Sequence, residues 1–403
     1  MSKDRVQSSP PSLASEPWHI FLAFLRMGLT SFGGPVAHLG YFRDEFVRRR
    51  SWLSEHDYAD VVALAQFLPG PASSQVGAVI GLCRGGALGA VAAWLGFTLP
   101  SAAALVLFGL GMTRMGVPIS QAWLHGLKLV AVAVVAQAIW GMGKSLCRSA
   151  ATALIAVGAA VLAFLLPTAA GQITTIVAGA CFGYWLCRSE PTQPREGAKA
   201  PLSRRTGVLL LVTYGLILFG LPVFAAGPGS GLWLFERFYR TGALVFGGGH
   251  VVLPVLQSQV LSSGILSEDL FLAGYGVAQA VPGPLFTFAA YIGAVAKTDL
   301  AGWTGAATCL VAIFLPGMLL ICGVLPFWQQ LRRAQAMQAA LKGINASVVG
   351  ILTSAFCGPI WGSTVHGVAD IAFALVALAL LLSDRVPTWS VVLCGALIGM
   401  LAN

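Results

Sequence analysis

The sequence predicts an all-α polytopic membrane protein in which two homologous halves adopt inverted topology, with about 10–13 transmembrane helices. Composition is the first reason: 57% of the 403 residues are hydrophobic and 10% are charged, against about 25% charged residues in a soluble domain. Apolar stretches long enough to cross a bilayer as a helix recur along the whole chain. The third reason is an internal repeat, in which two motif regions return more than 200 residues later.

The order of segments along the chain predicts four parts. Residues 1–17 are polar and rich in proline and serine, so we expect a solvated cytoplasmic tail rather than a signal peptide. Residues 18–187 form an N-terminal transporter half. Residues 188–227 combine a basic cytoplasmic linker with one extra transmembrane helix that has no counterpart in the N-terminal half. Residues 228–403 form a C-terminal transporter half.

Two pairs of motifs define the repeat. Arg26 precedes one glycine cluster, and Arg240 precedes the other, 214 residues later. A Pro-Gly-Pro triplet follows each cluster: the first triplet is residues 69–71 and the second triplet is residues 282–284, an offset of 213. We expect broken or re-entrant helices at these motifs, because proline removes a backbone donor and glycine admits conformations that other residues avoid.

The distribution of basic residues predicts that the halves are inverted. Residues 43–50 carry four arginines, whereas the equivalent loop near residues 257–264 carries no basic residue. In the loops that follow, the half with more basic residues alternates from one loop to the next. Because basic loops stay in the cytoplasm, equivalent loops of the two halves then lie on opposite faces of the membrane. The basic linker and the extra helix place the N-terminus in the cytoplasm and the C-terminus outside.

The broken segments are the predicted substrate site. A helix that starts inside the membrane offers free N–H groups and a partial positive charge, which suit an anion, and irregular backbone survives there only in protein or beside a watery cavity. The alternative is that glycine and proline only make kinks for close packing. The predicted substrate-binding residues at the breaks are Ser31, Gly33, Gly34, Pro69, Gly70, Pro71, Ser73, Ser74, Gly247, Gly248, Gly249, His250, Pro282, Gly283, Pro284 and Thr287.

Charged and titratable residues near the breaks complete the predicted site. Arg26 and Arg240 lie in or beside apolar segments, where an arginine usually faces a cavity or a partner, and an inverted pair would approach one central site from both faces. Snorkelling of these side chains to the interface is the alternative. His38 and Asp60 are the candidates for coupling to protons, although a structural role for His38 remains open.

Several classes of function are not supported by the sequence. The eight cysteines are scattered singly through apolar stretches without a ligand spacing, so we expect neither a metal site nor any other cofactor. Short motifs of hydrolases, metalloproteases and nucleotide-binding loops are missing. The net charge of +9 comes from loops between apolar segments, which indicates membrane topology rather than binding of nucleic acid.

The motifs themselves resemble those of a known family. Residues 32–40 (FGGPVAHLG) and 66–75 (QFLPGPASSQ), with residues 246–254 (FGGGHVVLP) and 278–289 (AQAVPGPLFTFA) in the C-terminal half, are similar to those of the chromate ion transporter family in its long two-half form. The resemblance implies export of chromate from the cytoplasm across the bacterial inner membrane, driven by the proton-motive force and conferring chromate resistance. It also implies that related oxyanions such as sulfate are handled.

Four hypotheses follow. The first is a secondary transporter that exports chromate, with the two halves rocking around a site between them. The second is a sulfate-type oxyanion importer or exchanger, and the third is a passive anion channel. A membrane enzyme or sensor is the fourth, which the missing catalytic motifs disfavour. Two halves in one chain make a monomer sufficient, while a homodimer stays open.

Overall fold

The computed structural model describes residues 16–32, 34–114, 121–187, 201–225, 227, 229–245, 252–331, 334–362, 364–383 and 386–401. Within these ranges the chain is helical and contains no β-strand, which confirms the predicted fold class. Among the helices in these ranges, five are long and apolar enough to cross a membrane, and four shorter apolar helices accompany them. The inverted topology and the larger number of spans remain predictions.

The helices of the N-terminal half come first along the chain. Their bounds are α1 Pro17–Thr30, α2 Gly34–Phe42, α3 Glu55–Phe67, α4 Ala72–Arg114, α5 Gln121–Leu146, α6 Ala150–Leu165 and α7 Ala169–Leu186. A π-helical segment, Arg43–Arg49, continues α2. Helix α4 is interrupted at Gly85 and Gly86, which have non-helical backbone angles.

The extra helix and the C-terminal half follow in the same order. Their bounds are α8 Arg204–Phe224, α9 Gly231–Leu244, α10 Val252–Ser262, α11 Glu268–Ala280, α12 Phe288–Val295, α13 Trp303–Val324, α14 Trp328–Leu331, α15 Gln335–Ala355, α16 Val368–Leu382 and α17 Thr388–Leu401. A 3-10 turn, Leu285–Thr287, precedes α12. Helices α12 and α13 together correspond to α4, and α15, α16 and α17 correspond to α5, α6 and α7.

Equivalent helices begin at equivalent sequence signals. Ser54 caps α3 by accepting a hydrogen bond from the Asp57 N–H, and Ser267 caps α11 by accepting one from the Leu270 N–H. The two serines are 213 residues apart, and such caps satisfy amides that the helix itself leaves free. The repeat is therefore visible in local structure as well as in motifs.

Within each half, the first helix packs against the long helix after the triplet. Helix α1 lies on α4, where a Cβ on Gly28 would come 2.7 Å from the Phe97 carbonyl oxygen. Helix α9 lies on α13, where a Cβ on Gly242 would come even closer to the Ile313 carbonyl oxygen. Glycine at both positions permits this approach of backbone to backbone, as in other membrane helix pairs.

The later helices are exchanged between the halves. Helix α5 packs against α16 and α17 of the C-terminal half, and α15 packs against α6 and α7 of the N-terminal half. Each exchange has a glycine crossing: Gly126 against Gly395 in the first, and Gly343 against Gly179 in the second, with no room for a Cβ. The two sequence halves are therefore interlocked rather than side by side.

Helix α8 lies on the outside of this assembly. Among the described residues it packs mainly against α9 and α13, where Gly207 and Leu211 both lie against Gly323 of α13. The rest of its surface is apolar and exposed, for example Phe219 and Val223 at 77% each. An exposed apolar face of this size on a 21-residue helix is the surface that a membrane-spanning helix presents to lipid.

Candidate functional site

The two Pro-Gly-Pro triplets cross at the centre of the molecule. The Gly70 N–H of the first triplet donates to the Val245 carbonyl oxygen at 2.7 Å, and the Gly283 N–H of the second triplet donates to the Ser31 carbonyl oxygen at 2.9 Å. Ser31 and Val245 are equivalent in the repeat, 214 residues apart. Each half therefore binds the end of the other half's first helix by the same hydrogen bond, which we call the crossed junction.

Both triplets require glycine at their centre. The φ angles of Gly70 and Gly283 are +118° and +104°, a region that residues with a Cβ rarely adopt. A Cβ on Gly70 would lie 3.1 Å from Gly317 Cα on α13, and one on Gly283 would lie 2.9 Å from Ser101 Oγ on α4. Each triplet thus packs against the long helix of the opposite half.

The first turn of α4 starts directly after the first triplet and is polar and buried. Ser73, Ser74 and Gln75 are 3%, 2% and 0% exposed. The Gln75 Nε2 donates to the Pro69 carbonyl at 2.8 Å and to the Gly317 carbonyl at 3.1 Å. Gln75 therefore joins the first triplet to α13, and the two serines lie at a buried helix N-terminus.

His38, which follows the first glycine cluster in the sequence, lies beside the first turn of α4. It lies on α2 and is 1% exposed, with its Nδ1 3.4 Å from Ser73 Oγ. Its ring also interacts with the Ser31 backbone and packs edge-on against the Phe97 ring at 5.3 Å. Ser31, His38 and Ser73, all predicted from the sequence, are thus brought together, beside α4.

Several buried polar atoms here have no hydrogen-bond partner among the described residues. They are Ser31 Oγ, Ser74 Oγ, Gln75 Oε1 and Thr98 Oγ1. An unpaired buried polar group costs about 1–3 kcal/mol of stability, and most buried polar side chains in folded proteins are paired. A concentration of such groups at a break in membrane helices is what a polar substrate would satisfy.

The remaining motif residues are placed as follows. Gly34 starts α2 with a φ of +79°, and Pro282 and Pro284 flank Gly283 in the second triplet. Thr287 is 1% exposed and donates from Oγ1 to the Pro284 carbonyl at 2.8 Å. Gly33, Gly247, Gly248, Gly249 and His250 lie outside the described residues.

Arg240 forms an ion pair inside the C-terminal half. Its guanidinium contacts the carboxylate of Glu236, which is one helical turn earlier on α9 and 4% exposed; Arg237 Nε lies 3.4 Å from the same carboxylate. Arg240 also lines a small cavity between α7, α9, α10 and α15, together with Gln172 and Gln259. The arginine therefore already has a counter-ion, and it faces an open space.

Arg26 has a different environment. Its side chain is exposed, and its charge acts on Glu45 of the π-helical segment, which is 4% exposed. Burial would raise the pKa of Glu45, but the hydrogen bond and charge of Arg50, with the charges of Arg49 and Arg26, outweigh it and hold the pKa below 4.5. Across the described part of the chain no contact joins Arg26 to Arg240, so their joint action on one anion stays a prediction.

Asp60 lies on α3 and is partly exposed. Its predicted part in coupling, like that of His38, is not tested by its position. Sequence reasoning did not single out Thr98 and Ser101, because they lie in an ordinary apolar stretch of α4. The signal that could have found them is Pro100 between them, which has its equivalent in Pro316 of α13.

Comparison with known proteins identifies relatives over most of the chain. A family model described as chromate transporter matches residues 18–184 and 232–400. A chromate transport protein of Cupriavidus metallidurans is 27% identical over 394 residues, which are 95% of this chain and 92% of that protein. A chromate transport protein of Pseudomonas aeruginosa is 27% identical over 372 residues, 87% of this chain and 82% of its own length.

The similarity extends to archaea. An uncharacterized transporter of Methanocaldococcus jannaschii is 26% identical over 348 residues, 83% of this chain and 82% of that protein. No solved structure matches the chain.

Proposed function

The chain belongs to the chromate transporter family, a family of membrane transporters rather than enzymes, and from this we propose that it is a secondary transporter that exports chromate from the cytoplasm by alternating access. The proposal includes a place in the bacterial inner membrane and chromate resistance as its outcome. The single observation that supports it best is the crossed junction, where backbone from both halves meets buried, unpaired polar side chains.

The chemistry of the junction suits a tetrahedral oxyanion. Chromate presents four oxygen atoms that accept hydrogen bonds, and the hydroxyl groups of Ser31, Ser74 and Thr98 are donors without partners in the described chain. The N-terminus of α4, at the same place, adds free N–H groups and a partial positive charge. We further propose that the anion passes Arg240, which lines a small cavity and is paired with Glu236.

The moving parts that we propose differ from the two sequence halves. Rocking of one half against the other would separate the glycine crossings of α5 with α17 and of α15 with α7, where backbones touch. We therefore propose that a central core, α1–α4 with α9–α13, moves against the two mixed bundles formed by α5 with α16 and α17 and by α15 with α6 and α7. The cavity lined by Arg240 lies between this core and one of the mixed bundles.

The membrane potential favours export of a dianion. One elementary charge that crosses the membrane gains about 2.3 kcal/mol per 100 mV, so two negative charges that leave a negative interior gain about 4.6 kcal/mol per 100 mV. That is a concentration ratio above about a thousandfold. Export therefore needs no tightly coupled proton, whereas accumulation of the same dianion inside would need several cotransported cations.

Chromate uptake into energised inside-out membrane vesicles tests this function. We expect uptake that requires both this protein and the membrane potential, and that excess sulfate reduces in proportion to its affinity. Vesicles without the protein are the control. If chromate does not enter inside-out vesicles and sulfate enters right-side-out vesicles instead, the protein is a sulfate-type importer or exchanger and not an exporter. The neutral donors of the junction suit sulfate as well as chromate.

A further inference from the structure

The crossed junction has a symmetric backbone but unlike side chains in its two halves. The repeat pairs Ser31 with Val245 at an offset of 214, and the residues after the triplets pair at an offset of 213. Farther along, Pro100 of α4 pairs with Pro316 of α13, at an offset of 216. These offsets allow each polar residue of the N-terminal half to be compared with the residue that occupies the same position in the other half.

The N-terminal side of the junction is lined by buried neutral donors and acceptors. Ser31 and Gln75 are fully buried, and Thr98 and Ser101 are 1% exposed. Ser101 Oγ donates to the Thr98 carbonyl at 3.1 Å. The Thr98 hydroxyl itself has no partner in the described chain. Ser101 is also the residue that the second triplet approaches at Gly283.

Three of the equivalent positions in the C-terminal half carry phenylalanine, and the counterpart of Ser101 is Gly317. Ser73 is replaced by Phe286, Gln75 by Phe288 and Thr98 by Phe314, and all three rings are buried. Phe286 packs on Phe314 with ring centroids 5.8 Å apart, and Phe288 packs edge-on against Phe271 at 5.2 Å. The one hydroxyl kept at these positions, that of Thr287, already donates to the Pro284 carbonyl.

We propose that the oxyanion is held by side chains of the N-terminal half, with the C-terminal half contributing the backbone of the second triplet and an aromatic plug. The proposal rests on the proposed function and deepens it. It assigns the hydroxyl of Thr98, beside those of Ser31, Ser73 and Ser74, to the binding of a tetrahedral oxyanion, while Gln75 and Ser101 hold the backbone around it. It also assigns Phe286, Phe288 and Phe314 to the opposite side, where they exclude water and anion.

The physical argument is the unequal cost of the two sides. Unpaired polar groups in a dry core lower stability, so the N-terminal side is costly unless a ligand uses these groups. The three phenylalanine positions carry no such cost, because their rings pack against other rings. The amide atoms of the C-terminal half that lack a partner in the described chain, in Gln257, Gln259 and Gln279, lie on α10 and α11 instead. A single polar side next to an apolar one also defines one position for the anion, whereas two polar sides would offer two competing positions.

A reciprocal exchange of side chains tests the proposal. Ser31→Val gives the N-terminal half the residue that the C-terminal half already carries at the same backbone position, and Val245→Ser does the reverse. Chromate binding to the purified protein is measured by isothermal titration calorimetry, with Ser74→Ala as a second variant. We expect Ser31→Val and Ser74→Ala to weaken binding at least about tenfold, the effect of one hydrogen bond to a charged ligand. Val245→Ser should change the dissociation constant by less than about threefold.

Thermal unfolding without ligand separates binding from folding. Loss of an unpaired buried hydroxyl should leave the melting temperature of Ser31→Val and Ser74→Ala unchanged or raise it. If the two hydroxyls had only a structural role, the same substitutions would lower the melting temperature. The double variant Ser31→Val/Val245→Ser should bind as weakly as Ser31→Val alone. Recovery of binding in the double variant would overturn the proposal, because a symmetric site would accept the donor from either half. Unchanged binding in both Ser31→Val and Ser74→Ala would overturn it as well.

If the proposed function is wrong, the wild-type protein itself gives a different binding result. Wild-type protein that binds sulfate but not chromate would refute chromate export, and the same variants measured with sulfate would then decide the one-sided site by the criteria above. Wild-type protein that binds neither anion would overturn both proposals.

Discussion

At the scale of single residues, the two repeat-related arginines each lie near a buried glutamate. Arg240 contacts Glu236 on its own helix, and the charge of Arg26 acts on Glu45 of the next segment. A buried carboxylate without its cation is strongly unfavourable. Loss of transport on removal of either arginine would therefore not by itself identify a contact with the anion.

A paired substitution separates the two roles of Arg240. We expect Arg240→Gln to lower the free energy of unfolding by up to about 3 kcal/mol, because the buried carboxylate of Glu236 loses its nearer cation and keeps only Arg237, whose Nε is 3.4 Å away. Glu236→Gln/Arg240→Gln should regain most of this loss, since two amides can bond each other, yet should still fail to transport chromate. Thermal unfolding in detergent and vesicle uptake measure the two effects. Normal transport by the stable double variant would remove Arg240 from the path of the anion.

Glu45 predicts a pH dependence of stability. Its pKa in the folded protein is lowered, so its ionised form stabilises the fold above its ordinary pKa of 4.5, and this contribution disappears as the pH falls through the lowered value. Glu45→Gln should lower the melting temperature at neutral pH and flatten its fall on acidification. Asp44→Asn is the control, because the Asp44–Arg48 pair is exposed and contributes little. Equal acid sensitivity of wild type and Glu45→Gln would contradict this account.

At the scale of elements, the triplets act as a linkage between halves. Gly70→Ala and Gly283→Ala should each destabilise the protein by about 1–3 kcal/mol, because alanine is strained at these φ angles and its Cβ meets Gln75 or Ser101. Gly215→Ala on α8 is the matched control, since an added Cβ there has no neighbour within 4 Å. Melting temperatures in detergent measure the difference. A shift at Gly70 or Gly283 no larger than at Gly215 would rule out the linkage.

The helices and their contacts also show which parts of the fold could be predicted from the sequence. Helix breaks at the triplets follow from glycine and proline chemistry, and the pairing of Arg240 with Glu236 was readable from their spacing of one helical turn. The partners across the crossed junction were not readable, because Gly70 and Gly283 bond backbone carbonyls, which carry no residue signature. Glycine at Gly126 and Gly343 indicates close helix packing, but it does not say which helix approaches.

At the scale of the whole molecule, inverted topology predicts opposite sidedness of equivalent caps. Ser54 and Ser267 are exposed, and each caps its helix in the same way, so cysteine costs the same at both positions. In a variant without the eight native cysteines, a membrane-impermeant maleimide should label Ser54→Cys from the cytoplasm only and Ser267→Cys from outside only. Labelling of both cysteines from the same side would mean that the halves are parallel.

The exchange of helices between the two halves could not be predicted from the sequence. The repeat predicts two halves, and equivalent helices follow one another in the same order along the chain. A repeat does not say whether later helices stay with their own half, because the order of helices along the chain is the same whichever bundle α5 and α15 join. The choice depends on glycine crossings between distant segments, such as Gly126 with Gly395.

Counterflow in liposomes tests the central claim, a carrier with one oxyanion site between moving parts. Liposomes with purified protein are loaded with unlabelled chromate and diluted into a trace of radioactive chromate. Alternating access predicts a transient accumulation of label above its equilibrium level. Each unlabelled chromate that is carried out leaves the empty site facing the outside, where it binds labelled chromate and carries it in. Label that only equilibrates, without this overshoot, would mean a passive channel and would contradict the account.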